Sequence, residues 1–235
     1  MRKAQRRMLQ LGLIPVLALV LGGAAVTVST IRGKLDYNYA TTYDQPLDAV
    51  TITANVVTAV APSADGKVHI ALSGTYTGAP PTIAVRKPEP GSHGLEISAD
   101  CEGSGCRLAL AVELPSATRL SVGASGTSVE LRQLTGAVHV TVDDGSVNGT
   151  RLGSDSVSVS AQSGSVDLGF DRAPSNVEVT SSNGSIQVLL PRTATYAIDA
   201  AADYGSTELN VNNDLSSPNQ LHLRSSNGSI TVDSR

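Results

Sequence analysis

The sequence predicts an all-β fold: a β-solenoid, single-stranded β-helix-like, built of coils of about 20 residues and preceded by one N-terminal transmembrane helix. Three observations predict it. The C-terminal half repeats itself at a nearly constant spacing, the repeats alternate apolar and polar residues with period two, and one long uncharged run stands near the N-terminus. The composition agrees. Of 235 residues, 40% are apolar but only 3% aromatic, with no Trp and one Phe, so the core must be built from Val, Leu, Ile and Ala. Such side chains suit thin stacked layers. Their prevalence also argues against aromatic platforms for sugars or bases.

Residues 1–7 form a basic end that carries Arg2, Lys3, Arg6 and Arg7. Without it the chain is markedly acidic, which argues against a nucleic-acid partner because phosphate binding needs a basic patch. Residues 8–31 carry no charge and are mostly apolar, long enough to span a bilayer as a helix. Four positive charges before this run and two after it, Arg32 and Lys34, place the N-terminus in the cytoplasm and the remainder outside. Gly23-Ala24-Ala25 offers a cleavage site, so a secreted product of signal cleavage is the alternative to a single-pass cell-membrane protein. In either case the domain is exported. Residues 32–45, with Tyr37, Tyr39 and Tyr43, read as a tether to an extracytoplasmic domain at 46–235.

Residues 46–115 read as irregular N-terminal coils and a cap, with strands at Ala49–Ala54, Lys67–Ser73, Thr82–Lys87, Gly94–Ala99 and Arg107–Leu114. Within them Asp100-Cys101-Glu-Gly-Ser-Gly-Cys106 holds the only two cysteines, with four residues between them, two of which are glycines. An oxidising compartment favours a structural Cys101–Cys106 disulfide. The spacing lacks the Cys-x-x-Cys of redox or zinc sites.

The repeat itself runs through Val138-His-Val-Thr-Val-Asp-Asp-Gly145, Val157-Ser-Val-Ser-Ala-Gln-Ser-Gly164, Val177-Glu-Val-Thr-Ser-Ser-Asn-Gly184 and Leu221-His-Leu-Arg-Ser-Ser-Asn-Gly228. Weaker copies are centred on Gly126 and Gly205. Each reads as strand, tight turn, strand, with apolar side chains inward and Ser, Thr, Glu, Gln and His outward. Each glycine is expected at a turn that needs positive φ. One coil cannot bury its apolar face alone, so stacking is required. The last copy, Leu221 to Val232, would then end the stack as a free edge able to pair with another protein or a second copy of the chain.

No catalytic, cofactor-binding or metal-binding residue is expected, and no cofactor. Ser-x-x-Lys, His-Glu-x-x-His, Gly-x-Ser-x-Gly and phosphate-loop signatures are absent. His69, His93, His139 and His222 are scattered, and His69, His139 and His222 point outward by alternation. Asp143-Asp144 could be imagined as a carboxylate dyad or calcium site, but Asp-Gly is an ordinary turn signal. Leu190-Pro-Arg-Thr-Ala194 resembles a sorting signal without the hydrophobic tail that such signals precede, and reads as a step between coils. The Asn-Gly-Ser/Thr triplets at 148, 183 and 227 match glycosylation acceptors, for which the turn is a sufficient explanation.

The Asn-Gly-Ser-Ile and Ser-Gly-Ser-Val repeats, the close cysteine pair, the Leu-Pro step at 114 and 190 and the single N-terminal apolar segment resemble the bacterial putative-adhesin family, a membrane-anchored β-solenoid domain of unknown function. The resemblance covers about 46–235. It implies a surface location, with adhesion or envelope-stress signalling, and transfers no functional residue. The expected function is a non-enzymatic cell-surface binding or structural module. The alternatives are an envelope sensor or regulatory partner of a membrane protein and, less well supported, a polysaccharide-active enzyme.

Overall fold

The computed structural model describes residues 17–21, 24–31, 34–87, 93–103 and 105–235. The chain enters through β1 (Leu17–Leu21), β2 (Ala24–Ile31) and β3 (Lys34–Tyr43). It continues through β4 (Ala49–Ala54), β5 (Val57–Pro62), β6 (Val68–Tyr76), β7 (Thr82–Arg86), β8 (Gly94–Asp100) and β9 (Arg107–Leu114). The repeats supply β10 (Arg119–Ala124), β11 (Val129–Arg132), β12 (Val138–Asp144), β13 (Val147–Leu152), β14 (Ser156–Ser163) and β15 (Val166–Phe170). They end with β16 (Asn176–Asn183), β17 (Ile186–Leu190), β18 (Ala197–Tyr204), β19 (Thr207–Leu209), β20 (Gln220–Asn227) and β21 (Ile230–Ser234).

These strands form two sheets, of twelve and nine strands, and the repeat strands within them are parallel. A repeat therefore contributes one strand to each sheet, the two strands being those on either side of its turn. Parallel register stacks equivalent side chains: Leu120, Val138, Val157, Val177 and Leu221 form one inner column, and Val122, Val140, Val159, Val179 and Leu223 the next. All are buried. Val129, Val147, Val166, Ile186 and Ile230 face them from the other sheet's strands. Burial of each such side chain is worth about 1.5–3 kcal/mol, so the columns carry the stability that a single coil lacks.

The turn glycines stack as well. Positive φ is confined to Gly126, Gly145, Gly164 and Gly228 among the six expected positions. Gly184 and Gly205 lie outside that region, which corrects the turn-conformation argument for them. Close approach explains them instead: a Cβ on either would stand closer than 3.0 Å to the carbonyl of the glycine in the adjoining coil.

The order of coils in space differs from their order in sequence. β20 lies between β16 and β18, and β21 between β17 and β19, so the last coil is an inner one. The expected free edge at Leu221 to Val232 is thereby overturned. Its repeat is complete and matches β16 residue for residue, and Asn227 Nδ2 donates to Asn183 Oδ1 at 3.1 Å across the pair. The degraded copy, with Ala200 and Ala202 where its neighbours have Leu223 and Ser225, occupies the edge, where only one side must fit. A similar exchange occurs at the other end, where β4 lies between β8 and β10 and β5 between β9 and β11.

Two N-terminal expectations change. Lys34–Tyr43 is a ten-residue strand rather than a tether, pairing antiparallel with β6, and Tyr37 packs edge-on against Tyr76 with ring centroids 6.3 Å apart. The expected helix over 8–31 is not found where it falls on described residues: Leu17–Leu21 and Ala24–Ile31 are strands. The β-branched run Val26-Thr-Val-Ser-Thr-Ile31 favours the extended form and pairs with β3. Residues 1–16 and 22–23 lie outside the described residues, and with them the basic end and the first part of the expected anchor. No helix among the described residues is long and apolar enough to cross a membrane.

Candidate functional site

Register decides what the nine-stranded sheet shows to solvent. From β8 across to β18 the first outward column reads Glu96, Thr51, Ser121, His139, Ser158, Glu178, His222 and Asp199. The second reads Ser98, Thr53, Gly123, Thr141, Ser160, Thr180, Arg224 and Ala201. Short hydroxyl side chains dominate its middle, spaced by the roughly 4.8 Å between adjacent strands.

Gly123 interrupts the second column and leaves a shallow open groove bordered by Thr53, Asn55, Ser98, Asp100, Ser125 and Asp143. Asn55 fixes its floor. Its Oδ1 accepts the Cys101 amide at 2.9 Å, and its Nδ2 donates to Asp100. The Cys101–Cys106 disulfide closes the loop beyond. The arrangement presents donors and acceptors to a polar ligand. It does not gather the suspected dyad, because Asp143 borders the groove while Asp144 pairs in the ladder with Ser163.

A hydroxyl, an imidazole and a carboxylate do meet elsewhere. Thr42 Oγ1 lies 3.1 Å from His69 Nδ1, and His69 Nε2 lies 2.9 Å from Asp65 Oδ1. The bond to His69 and the Lys67 amide hold the Asp65 carboxyl below its ordinary value. The order is that of a nucleophile, base and orienting acid, which sequence reading missed because the partners come from β3, β6 and the loop before β6. Nucleophilic catalysis would also need donors for a developing oxyanion. β3 and β6 each have strands on both sides that engage their amides. The chain of contacts pins the Asp65 loop to the sheet, as the 2.8 Å Lys67–Asp44 bridge does beside it.

At the C-terminal end, the register sets His222 between Glu178 and Asp199. Arg224 donates to Asp199 and, more weakly, His222 approaches it at 3.6 Å; the Arg224 bond is the main cause that keeps this carboxyl below its ordinary value. These contacts tie the edge coil to its inner neighbour. His139 stands exposed in the first column, and His93 lies 3.3 Å from Asp48. No cluster of three His, Cys, Asp or Glu side chains able to hold a metal ion occurs among the described residues.

The family model for the toastrack DUF4097 domain matches residues 50–234. The chain belongs to the toastrack family. The matched span takes in every parallel coil, from β4 to β21, and omits β1 to β3. No curated protein matches the toastrack chain. Two solved structures are similar to it. One is described as a putative cell adhesion protein from Clostridium sporogenes, with 14% identity, a TM-score of 0.48, and coverage of 83% of this chain and 99% of that one. The other is described as a putative adhesin from Bacteroides fragilis, with 15% identity, a TM-score of 0.48, and coverage of 84% and 97%.

Proposed function

We propose that this toastrack protein is a non-enzymatic, adhesin-like binding module that works outside the cytoplasm and presents the hydroxyl face of its nine-stranded sheet to a polar surface. The observation that carries this reading is the predominance of short hydroxyls on that face: Thr51, Ser121 and Ser158 in one column, with His139 among them, and Thr53, Thr141, Ser160 and Thr180 in the next, broken only at Gly123, all held at fixed spacing by parallel register. Short side chains on a rigid sheet lose little conformational entropy on contact, so many weak hydrogen bonds can add up across an extended ligand. The disulfide supports an oxidising location. The uncharged run that begins at residue 8, ahead of β1, supplies the export signal in this reading.

The test is retention of cells that carry the full-length chain on immobilised envelope material from neighbouring cells. Thr141→Lys combined with Ser160→Lys, which places bulk and charge on the face, should abolish retention. Gln187→Lys on the twelve-stranded sheet should leave it intact. Equal effects from both changes, or none from the first, would remove the face from consideration, and release of sugars from the immobilised material would favour an enzyme.

A further inference from the structure

The open edge of the C-terminal coil has a direction and a charge. β18 pairs with β20 on one side and forms the end of its sheet. The Ala197 amide donates inward to Asn219 O at 2.8 Å, so positions of the opposite parity, 198, 200 and 202, turn their N–H and C=O groups to the outer edge. One of them is closed by the protein itself. Asn213 accepts from the Ile198 amide and donates to the Ile198 carbonyl, both at 2.9 Å, imitating one residue of an added strand. Ala200 and Ala202 lie beyond its reach on the same edge. Two of the three large apolar side chains most exposed among the described residues, Tyr204 at 79% and Leu215 at 81%, belong to this same coil and its return loop.

Charge selects the occupant. Asp199 is engaged by Arg224 and His222, but Asp203, Glu208 and Asp214 form no ion pair among the described residues, and no Lys or Arg lies between Arg192 and Arg224. A second copy would bring an equally acidic edge and be repelled, whereas an extended segment with cationic side chains would be attracted.

We infer that the β18 edge, at Ala200 and Ala202, takes up an extended Lys- or Arg-bearing polypeptide segment by strand addition. The segment continues the ladder that Asn213 begins, its cationic side chains lying beside Asp203 and its alternate apolar side chains beside Ala200 and Ala202. This edge borders the hydroxyl face, whose columns end at Asp199 and Ala201, but the inference stands without that reading.

The test uses the full-length chain and a peptide alternating lysine and valine, as long as the eight residues of β18. Binding should slow amide exchange at Ala200 and Ala202, and should weaken at least about tenfold when alternate peptide nitrogens are methylated, a change that removes ladder hydrogen bonds without touching the protein. Ala200→Pro should have the same effect, since its lost N–H faces outward and leaves the β18–β20 ladder whole. Asp203→Asn with Glu208→Gln should weaken binding several-fold and flatten its salt dependence. Equal binding of the methylated peptide, or of a glutamate–valine peptide, would overturn the inference. So would self-association of the chain that protects the same amides, which would make a second copy the occupant.

Discussion

A Cβ on Gly184 would stand closer than 3.0 Å to the carbonyl oxygen of Gly164 in the adjoining coil. The same relationship links Gly228 to Gly184 and Gly205 to Gly228, so the turns form a column in which backbone rests on backbone. Serines follow it. Ser206 Oγ lies 3.1 Å from Ser229 Oγ, and the Ser229 amide donates to Ser185 Oγ at 3.3 Å.

Gly184→Ala should therefore lower the unfolding free energy by about 1–3 kcal/mol, because backbone must shift to admit the methyl group. Gly126→Ala meets no neighbouring atom but sits at φ +68°, and should cost about 1–2 kcal/mol through conformation alone. Ser158→Ala on the outward face should cost less than about 0.5 kcal/mol. Urea denaturation of the three variants separates the causes. A loss at Gly184 no greater than at Ser158 would contradict the stacked column.

Asn213→Ala removes the side chain that closes the edge at Ile198. Hydrogen exchange at the Ile198 amide should accelerate about fivefold, in proportion to a hydrogen bond worth about 1 kcal/mol, while the Val159 amide in β14 exchanges as before. Uniform acceleration at both sites would show that Asn213 supports the whole stack rather than its end.

The edge coil should loosen in acid before the inner coils do. Asp199 is held below its ordinary value of 3.8, chiefly by the hydrogen bond from Arg224 and with a smaller contribution from His222. A depressed carboxylate stabilises the fold at pH above its unfolded value, and that contribution disappears as the pH falls through the lower folded value. The loss is thus expected below about pH 4. Amide exchange measured along an acid series should show β18 opening ahead of β14, and Asp199→Asn should abolish the difference.

Replacing Cys101 and Cys106 together by serine should cost roughly 2 kcal/mol through the freed loop between β8 and β9. The Asn55 side chain still holds the backbone at 101, its Oδ1 accepting from the amide and its Nδ2 donating to the carbonyl, so the groove beside Gly123 should keep its shape. Thermal unfolding with and without reductant checks the first expectation. Chemical shifts of Thr53, Ser98 and Thr141 check the second.

Much of the fold is legible in the chain because its signals are local. Val140, Val159 and Val179 alternate with outward Thr141, Ser160 and Thr180, and each repeat ends in a glycine followed by serine, so strand, facing and turn can be read within one period. The hydroxyl face was foreshadowed in the same way, as outward Ser and Thr. The groove was not, because Asn55, Asp100 and Asp143 come from three coils and meet only through register.

Local patterning along the chain establishes that the protein is all-β, that its core is aliphatic, that its repeats stack, and which side of each strand faces out. Long-range packing settles that each coil serves two sheets, that Lys34–Tyr43 joins one of them, and that Leu221 to Val232 lies inside the stack with Ala197–Tyr204 at its edge. The reason is the range of the interactions. Alternation and turn chemistry act between residues a few positions apart and leave their mark in any one repeat. Which coil rests on which depends on the match between whole coils, and the match of β20 to β16, residue for residue through Asn227 and Asn183, outweighed the order in which the chain supplies them.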